Sequence, residues 1–178
     1  LYQTLKIKED NIIESIKKLE ILQRKINSLN LTESNASLNL AKSIKLIPII
    51  YYPFGLQSAS IRFKNSLQEN AKMHAASEDV IEASHNGVVS WEKKSNIMPI
   101  LIRGNEDHIK TKERYEILKK FFTENKIKYE EVFSVEGNIL SKLISLIYLL
   151  DYATIYKAVI DNIDPSPVNT INFIKDKL

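Results

Sequence analysis

Leu46-Ile47-Pro48-Ile49-Ile50-Tyr51-Tyr52, closed by Pro53 and Gly55, decides the fold of this 178-residue chain. A short apolar, β-branched run bounded by breakers reads as a strand buried on both faces. Pro48 cannot donate to a β ladder, so it belongs at the strand start. Immediately downstream the period changes: Leu56, Ala59, Phe63 and Leu67 recur at helical spacing over residues 56–70. A buried strand that feeds straight into a helix is the opening of a parallel β-α-β unit.

Working toward the C-terminus, the alternation continues. Met73-His74-Ala75-Ala76 reads as a short strand and residues 97–102 as a clearer one, closing on Arg103-Gly104-Asn105. Asp107 opens a helix carrying Ile109, Tyr115, Leu118, Phe121 and Phe122. Residues 127–135 form a strand, and Asn138 caps a strongly apolar helix that runs to about Ile160. Asp164-Pro165-Ser166-Pro167 is a rigid turn, and Ser166 is placed to cap a last helix over 167–177. Toward the N-terminus, residues 9–29 are amphipathic, with Ile12, Ile13, Ile16, Leu19, Ile26 and Leu29 on one stripe. Thr32 is the expected cap of a second helix reaching about Lys45. Residues 1–45 therefore read as a helical arm before a domain spanning 46–178. The expected fold class is α/β: a three-layer sandwich with a mainly parallel sheet flanked by helices. In such sheets ligands sit beyond the carboxyl ends of the strands, here the loops 52–58, 76–87, 103–107 and 135–138.

Bulk composition narrows the function. Apolar residues make up 44% of the chain, enough for a core, and the net charge is only +3. That balance argues against nucleic acid or an anionic membrane as partner, while leaving room for an anionic metabolite. With no cysteine there is no disulfide, thiolate metal site or cysteine nucleophile. Three scattered histidines, His74, His85 and His108, lack the i,i+4 spacing of a metal site, so neither metal nor other cofactor is expected. The apolar run 143–150 is too short to span a bilayer. With no signal peptide visible, a cytoplasmic setting is the expectation. The chain begins at Leu1 rather than methionine, as a piece of a longer protein would.

Chemistry concentrates in two polar knots. The first runs from Arg62 to Lys72 and ends in Glu69-Asn70-Ala71-Lys72. Arg62, Asn65, Ser66 and Glu69 share one helix face, which ordinarily means a solvated surface. Glu69, however, sits in the last turn, where the helix dipole disfavours a carboxylate, a placement that suits a base. Asn70 is the expected left-handed residue that ends the helix. The second knot is Glu82-Ala83-Ser84-His85-Asn86, where His85 lies on a polar loop. A carboxylate that takes a proton and a histidine that moves one are the minimum for acid–base isomerisation. Gly55-Leu56-Gln57-Ser58 leads from strand to helix N-terminus, where an anion can bind, although an N-cap explains Ser58 equally well. Neither the Walker loop nor the dinucleotide fingerprint is present.

These residues together resemble a known family. The run Arg62 to Lys72, the knot Ser84-His85-Asn86 with Trp91, and the tail Asp164-Pro165-Ser166-Pro167-Val168 onward resemble the bifunctional phosphoglucose/phosphomannose isomerases of the sugar-isomerase (SIS) superfamily. The Glu69-Asn70-Ala71-Lys72 string also resembles the Glu-Ser-Asn-Gly-Lys signature of ordinary phosphoglucose isomerases. The resemblance implies that Glu69 moves a proton between C1 and C2 of the sugar through a cis-enediol(ate). It implies that His85 assists ring opening and is lent by the neighbouring subunit of a homodimer. It further implies that Lys175 sits at the ring-oxygen end. Arg62, Asn70 and Gln57 are the candidate substrate-binding groups. Family members carry two SIS domains, and the phosphate-binding loop and an enediolate-stabilising arginine belong to the first. Neither is evident here, and Arg24 does not fit that arginine's context, so this chain resembles the C-terminal half. The other readings are a non-catalytic sugar-phosphate-binding SIS regulatory module and a helical dimerisation module.

Overall fold

A computed structural model describes residues 7–178; residues 1–6 of the expected arm lie outside them. Four parallel strands form one sheet in the order β2-β1-β3-β4, with β1 at Ile47–Tyr52, β2 at Ala76–Asp79, β3 at Ile97–Arg103 and β4 at Glu130–Phe133. β1 and β3 are the central pair, in register from Ile47 opposite Ile97 to Tyr51 opposite Leu101. Alternation along these strands feeds two cores. Ile50, Tyr52, Met98, Ile100 and Ile102 point to one face, where α3 (Gln57–Asn70) and α6 (Ile139–Ile160) cover them. Tyr51 and Leu101 point to the other, under α4 (Val80–Ala83), a 3-10 turn (Gly87–Glu92) and α5 (Ile109–Glu124). On that face Trp91 donates its indole N–H to the Tyr51 hydroxyl at 3.0 Å, and burial pushes this phenol up to about 12. Helices on both faces of a parallel sheet make the expected three-layer sandwich.

The expected arm lies along the sandwich. α1 (Glu9–Ile26) and α2 (Ala36–Ser43) both pack on α6. Glu14 of α1 accepts hydrogen bonds from the Asn138 backbone N–H and the Ser141 hydroxyl, each at 3.1 Å, where α6 begins. Leu40 and Ile44 belong to the main core. α6 is therefore surrounded by α1, α2 and α3, which explains why it is apolar on nearly every side. With 22 residues and a mean hydropathy of 1.6 over its best window, α6 is long and apolar enough to cross a membrane by length and composition. The shorter run read from the sequence missed this, because Ser145 and Asp151 interrupt the run, while the surrounding Leu and Ile keep the average high.

Several element ends differ from expectation. β2 begins at Ala76, not Met73, because the chain must first unwind from α3: the Met73 N–H still bonds to the Leu67 carbonyl. Asn70 stays helical, and Lys72 adopts the left-handed conformation instead, at φ 53°. Asn35, not Thr32, caps α2 by accepting from Leu38 N–H at 3.0 Å. At α5 the cap is His108, while the Asp107 carboxylate turns back to the Gly104 N–H at 2.8 Å. Neither Ser58 nor Ser166 caps a helix: Leu56 and Val168 precede α3 and α7 (Asn169–Lys175) without a side-chain cap. Asn138 caps α6 as expected, accepting from Ser141 N–H at 3.1 Å.

Candidate active site

Helix α3 runs antiparallel to the strands it connects, so its last turn lies at the amino ends of β1 and β2. Ala59, Phe63 and Leu67 are fully buried and fix which way the helix faces. Its polar residues then meet α6. The Arg62 guanidinium donates to both Asp151 carboxylate oxygens, at 3.2 and 2.9 Å. Ser66, only 5% exposed, donates its hydroxyl to the same carboxylate at 2.9 Å. Asn70 donates its side-chain amide to the Thr154 hydroxyl at 2.8 Å. Two of the candidate substrate-binding residues, Arg62 and Asn70, are thus engaged with a neighbouring helix.

Glu69 stands apart from this network. Its carboxylate has no hydrogen-bond or ion-pair partner among the described residues, and its side chain is exposed. It borders a cleft of about 350 Å³ whose other wall is the segment 167–171 leading into α7. Ile171 lines that cleft, and Lys175 lies four residues on, hence on the same face of α7 one turn further along. The tail and the end of α3 therefore form one neighbourhood, although they are about a hundred residues apart in the chain.

His85 and Gln57 lie elsewhere. Gln57 opens α3 at the carboxyl end of β1 and donates to the Tyr52 hydroxyl at 3.2 Å. His85 follows α4, past the carboxyl end of β2, exposed and with its imidazole free of hydrogen bonds among the described residues. β2 alone spans roughly 13 Å at about 3.3 Å per residue, and Glu69 and His85 lie beyond its opposite ends. One chain does not bring them together. Near His85, the Glu78 carboxyl is held above the usual range, first by burial and then by the charges of Glu82 and Asp79.

The carboxyl-end loops expected to hold a site also form a cleft, of about 250 Å³, between Pro53, Phe54, Gly104, Asp107, His108 and Lys142. Its charged groups already have partners: Lys142 pairs with Glu106, and the Asp107 carboxylate accepts from the Gly104 N–H. Arg103, at the end of β3, is buried, bonds to Glu131 at 2.6 Å and lies 4.5 Å over the Tyr115 ring. Sequence reasoning looked for the site at this end. Glu69 lies at the other, and the position of α3 between parallel strands was the available signal. Among the described residues no three His, Asp or Glu side chains gather as a metal site would need.

A parallel sheet between two helical layers defines an α/β sandwich domain. The chain belongs to the family described as bacterial phospho-glucose isomerase C-terminal SIS domain, which matches residues 33–178. It is 30% identical over 180 residues to the bifunctional phosphoglucose/phosphomannose isomerase of Caldicellulosiruptor bescii, covering 96% of this chain and 52% of that protein. The enzyme of the same name from Aquifex aeolicus is 29% identical over 136 residues, 74% of this chain and 42% of its own length. The chain thus spans about half the length of the curated relatives it matches. Among solved structures, a glucose-6-phosphate isomerase like protein from Thermus thermophilus shares the fold at a TM-score of 0.71 and 17% identity, covering 88% of this chain and 52% of that one. The sugar isomerase domain of an RpiR transcription factor from Sphaerobacter thermophilus shares it at 0.61 and 8%, covering 95% and 97%.

Proposed function

We propose that this chain is the C-terminal half of an aldose–ketose isomerase that interconverts glucose 6-phosphate, and mannose 6-phosphate, with fructose 6-phosphate. The observation that carries the reading is the free Glu69 carboxylate at a cleft, on a helix whose Arg62, Ser66 and Asn70 are all tied to α6. Proton transfer next to a carbonyl needs a positioned base and polar stabilisation of the enediolate. Glu69 is that base, shuttling the proton between C1 and C2 through a cis-enediol(ate). Lys175, one turn beyond the cleft-lining Ile171, serves the ring-oxygen end of the sugar. His85 assists ring opening, and because one chain holds it at the far end of the sheet, it acts on the site of a second copy in a homodimer. The phosphate-binding loop and the cation that stabilises the enediolate come from the other half of the protein, so the 178-residue chain alone turns over little substrate.

The test is interconversion of the three sugar phosphates by the full-length protein with Glu69→Gln as control. Loss of at least about a thousandfold in kcat with KM little changed is the expected result; an unchanged rate removes Glu69 from the mechanism. The separation of Glu69 from His85 within one chain favours a second reading, a non-catalytic sugar-phosphate-binding module. Exchange of the substrate's C2 proton with solvent separates the two, since only the isomerase produces it.

A further inference from the structure

Lys72 lies just beyond α3 and takes the left-handed conformation, φ 53°, that a residue with a Cβ rarely holds. At this bend its ammonium meets both the end of α3 and the tail. Nζ donates to three carbonyl oxygens: Glu69 at 2.6 Å, Pro167 at 2.6 Å and Pro165 at 3.3 Å. Three donors meet three acceptors, the full capacity of an ammonium. The Glu69 carbonyl is one of the last four of α3, which have no partner within the helix. The other two acceptors belong to the proline-rich turn, whose shape is set by two fixed φ angles and by the Asp164 carboxylate accepting from Ser166 N–H at 2.9 Å. One side chain therefore joins the end of the Glu69 helix to the root of the tail that carries Lys175.

Among the described residues little else holds that tail. α7 buries none of its residues, and Ile171, Phe173 and Ile174 are each more than two-fifths exposed. A segment with so few apolar contacts opens at low cost unless polar ties fix it. We infer that Lys72 is a positioning residue: its ammonium sets where the 164–178 segment lies against the end of α3, and thereby the distance of Lys175 from Glu69. The catalytic part of this inference rests on the roles proposed above for Glu69 and Lys175; the structural part does not.

Two variants of the full-length protein test it. Lys72→Met removes the ammonium. Lys72→Gly removes it as well, while suiting the left-handed backbone, so the helix end is kept. In both, amide hydrogen exchange over residues 166–178 should quicken about tenfold while that of residues 57–70 stays unchanged. With sugar phosphate as substrate, kcat should fall roughly tenfold to a hundredfold with KM little altered, as expected when a reacting group is misplaced. Unchanged exchange in the tail overturns the inference. Faster exchange with unchanged kcat overturns its catalytic part. Glu69→Gln and Lys175→Met run beside them: full activity in both would dismiss the proposed site, and exchange alone would then judge the tie made by Lys72.

Discussion

The two polar knots look alike in the sequence and are built in opposite ways. In the first, Arg62, Ser66, Asn70 and Lys72 all find partners more than eighty residues away, on α6 and on the tail. In the second, every side-chain hydrogen bond among the described residues is local. The Asp79 carboxylate caps α4 by accepting from Ile81 and Glu82 N–H. Ser84 bonds to the Val80 carbonyl at 2.6 Å, and Asn86 to the Glu82 carboxylate at 3.1 Å. Gly87 packs so close to Glu78 that a Cβ there would stand 2.8 Å from its carboxylate. The difference teaches how each candidate residue is aimed. The helix that carries Glu69 is tied across the fold by Arg62, Ser66 and Asn70, while the Glu69 carboxylate itself has no partner among the described residues. Among the described residues His85 is held only by its own turn, and its exposed imidazole has no hydrogen-bond partner there.

The contrast can be broken at graded strengths. The largest effect is expected from Phe63→Ala, which empties the core beneath the first knot: about 3–5 kcal/mol of stability lost in urea unfolding. A loss below about 1 kcal/mol would mean that α3 is not anchored as described. Asp151→Ala removes the shared acceptor of Arg62 and Ser66. A cost of about 1–3 kcal/mol is expected, mostly from leaving the buried Ser66 hydroxyl unpaired. Arg62 is 58% exposed and solvent screens its share. In the second knot Asp79→Ala removes only a helix cap and should cost about 1 kcal/mol, with the thermal stability of the first knot's contacts untouched. Equal costs for Asp151→Ala and Asp79→Ala would erase the distinction between a tertiary and a local network.

The smallest effect carries a pH signature. The raised Glu78 carboxyl means that the fold favours its neutral form, chiefly through burial. That contribution is fully present below the ordinary carboxylate range and is lost as pH rises through the elevated folded value. Glu78→Gln stays neutral throughout, so it should raise Tm slightly at neutral pH and leave it unchanged below about pH 4. A gain that persists in acid would assign the effect to packing instead.

The central strands were legible because strands covered on both faces are apolar along nearly their whole length, as Ile47–Tyr52 is and as Ile97–Arg103 is up to its closing arginine. β2 was misplaced for the converse reason. It is an edge strand of Ala-Ser-Glu-Asp, paired on one side alone, and its composition resembles a loop. The Asn138 cap was read correctly from a short polar residue before an apolar run. His108 as a cap was not, since its ring nitrogen accepts from Lys110 N–H only in the turn that Asp107 and Gly104 shape.

By itself, the sequence determined the alternation of apolar runs that makes a parallel sandwich, and the presence of Glu69, His85 and Lys175 in three recognisable motifs. Periodicity is a local property, and a motif is carried by its own residues. Tertiary structure alone decided that Asp151 and Thr154 would occupy Arg62 and Asn70, and that Lys72 would hold the tail. Those outcomes depend on which helix faces meet across the core. Burial sets that for the whole chain at once, and no stretch of residues records it.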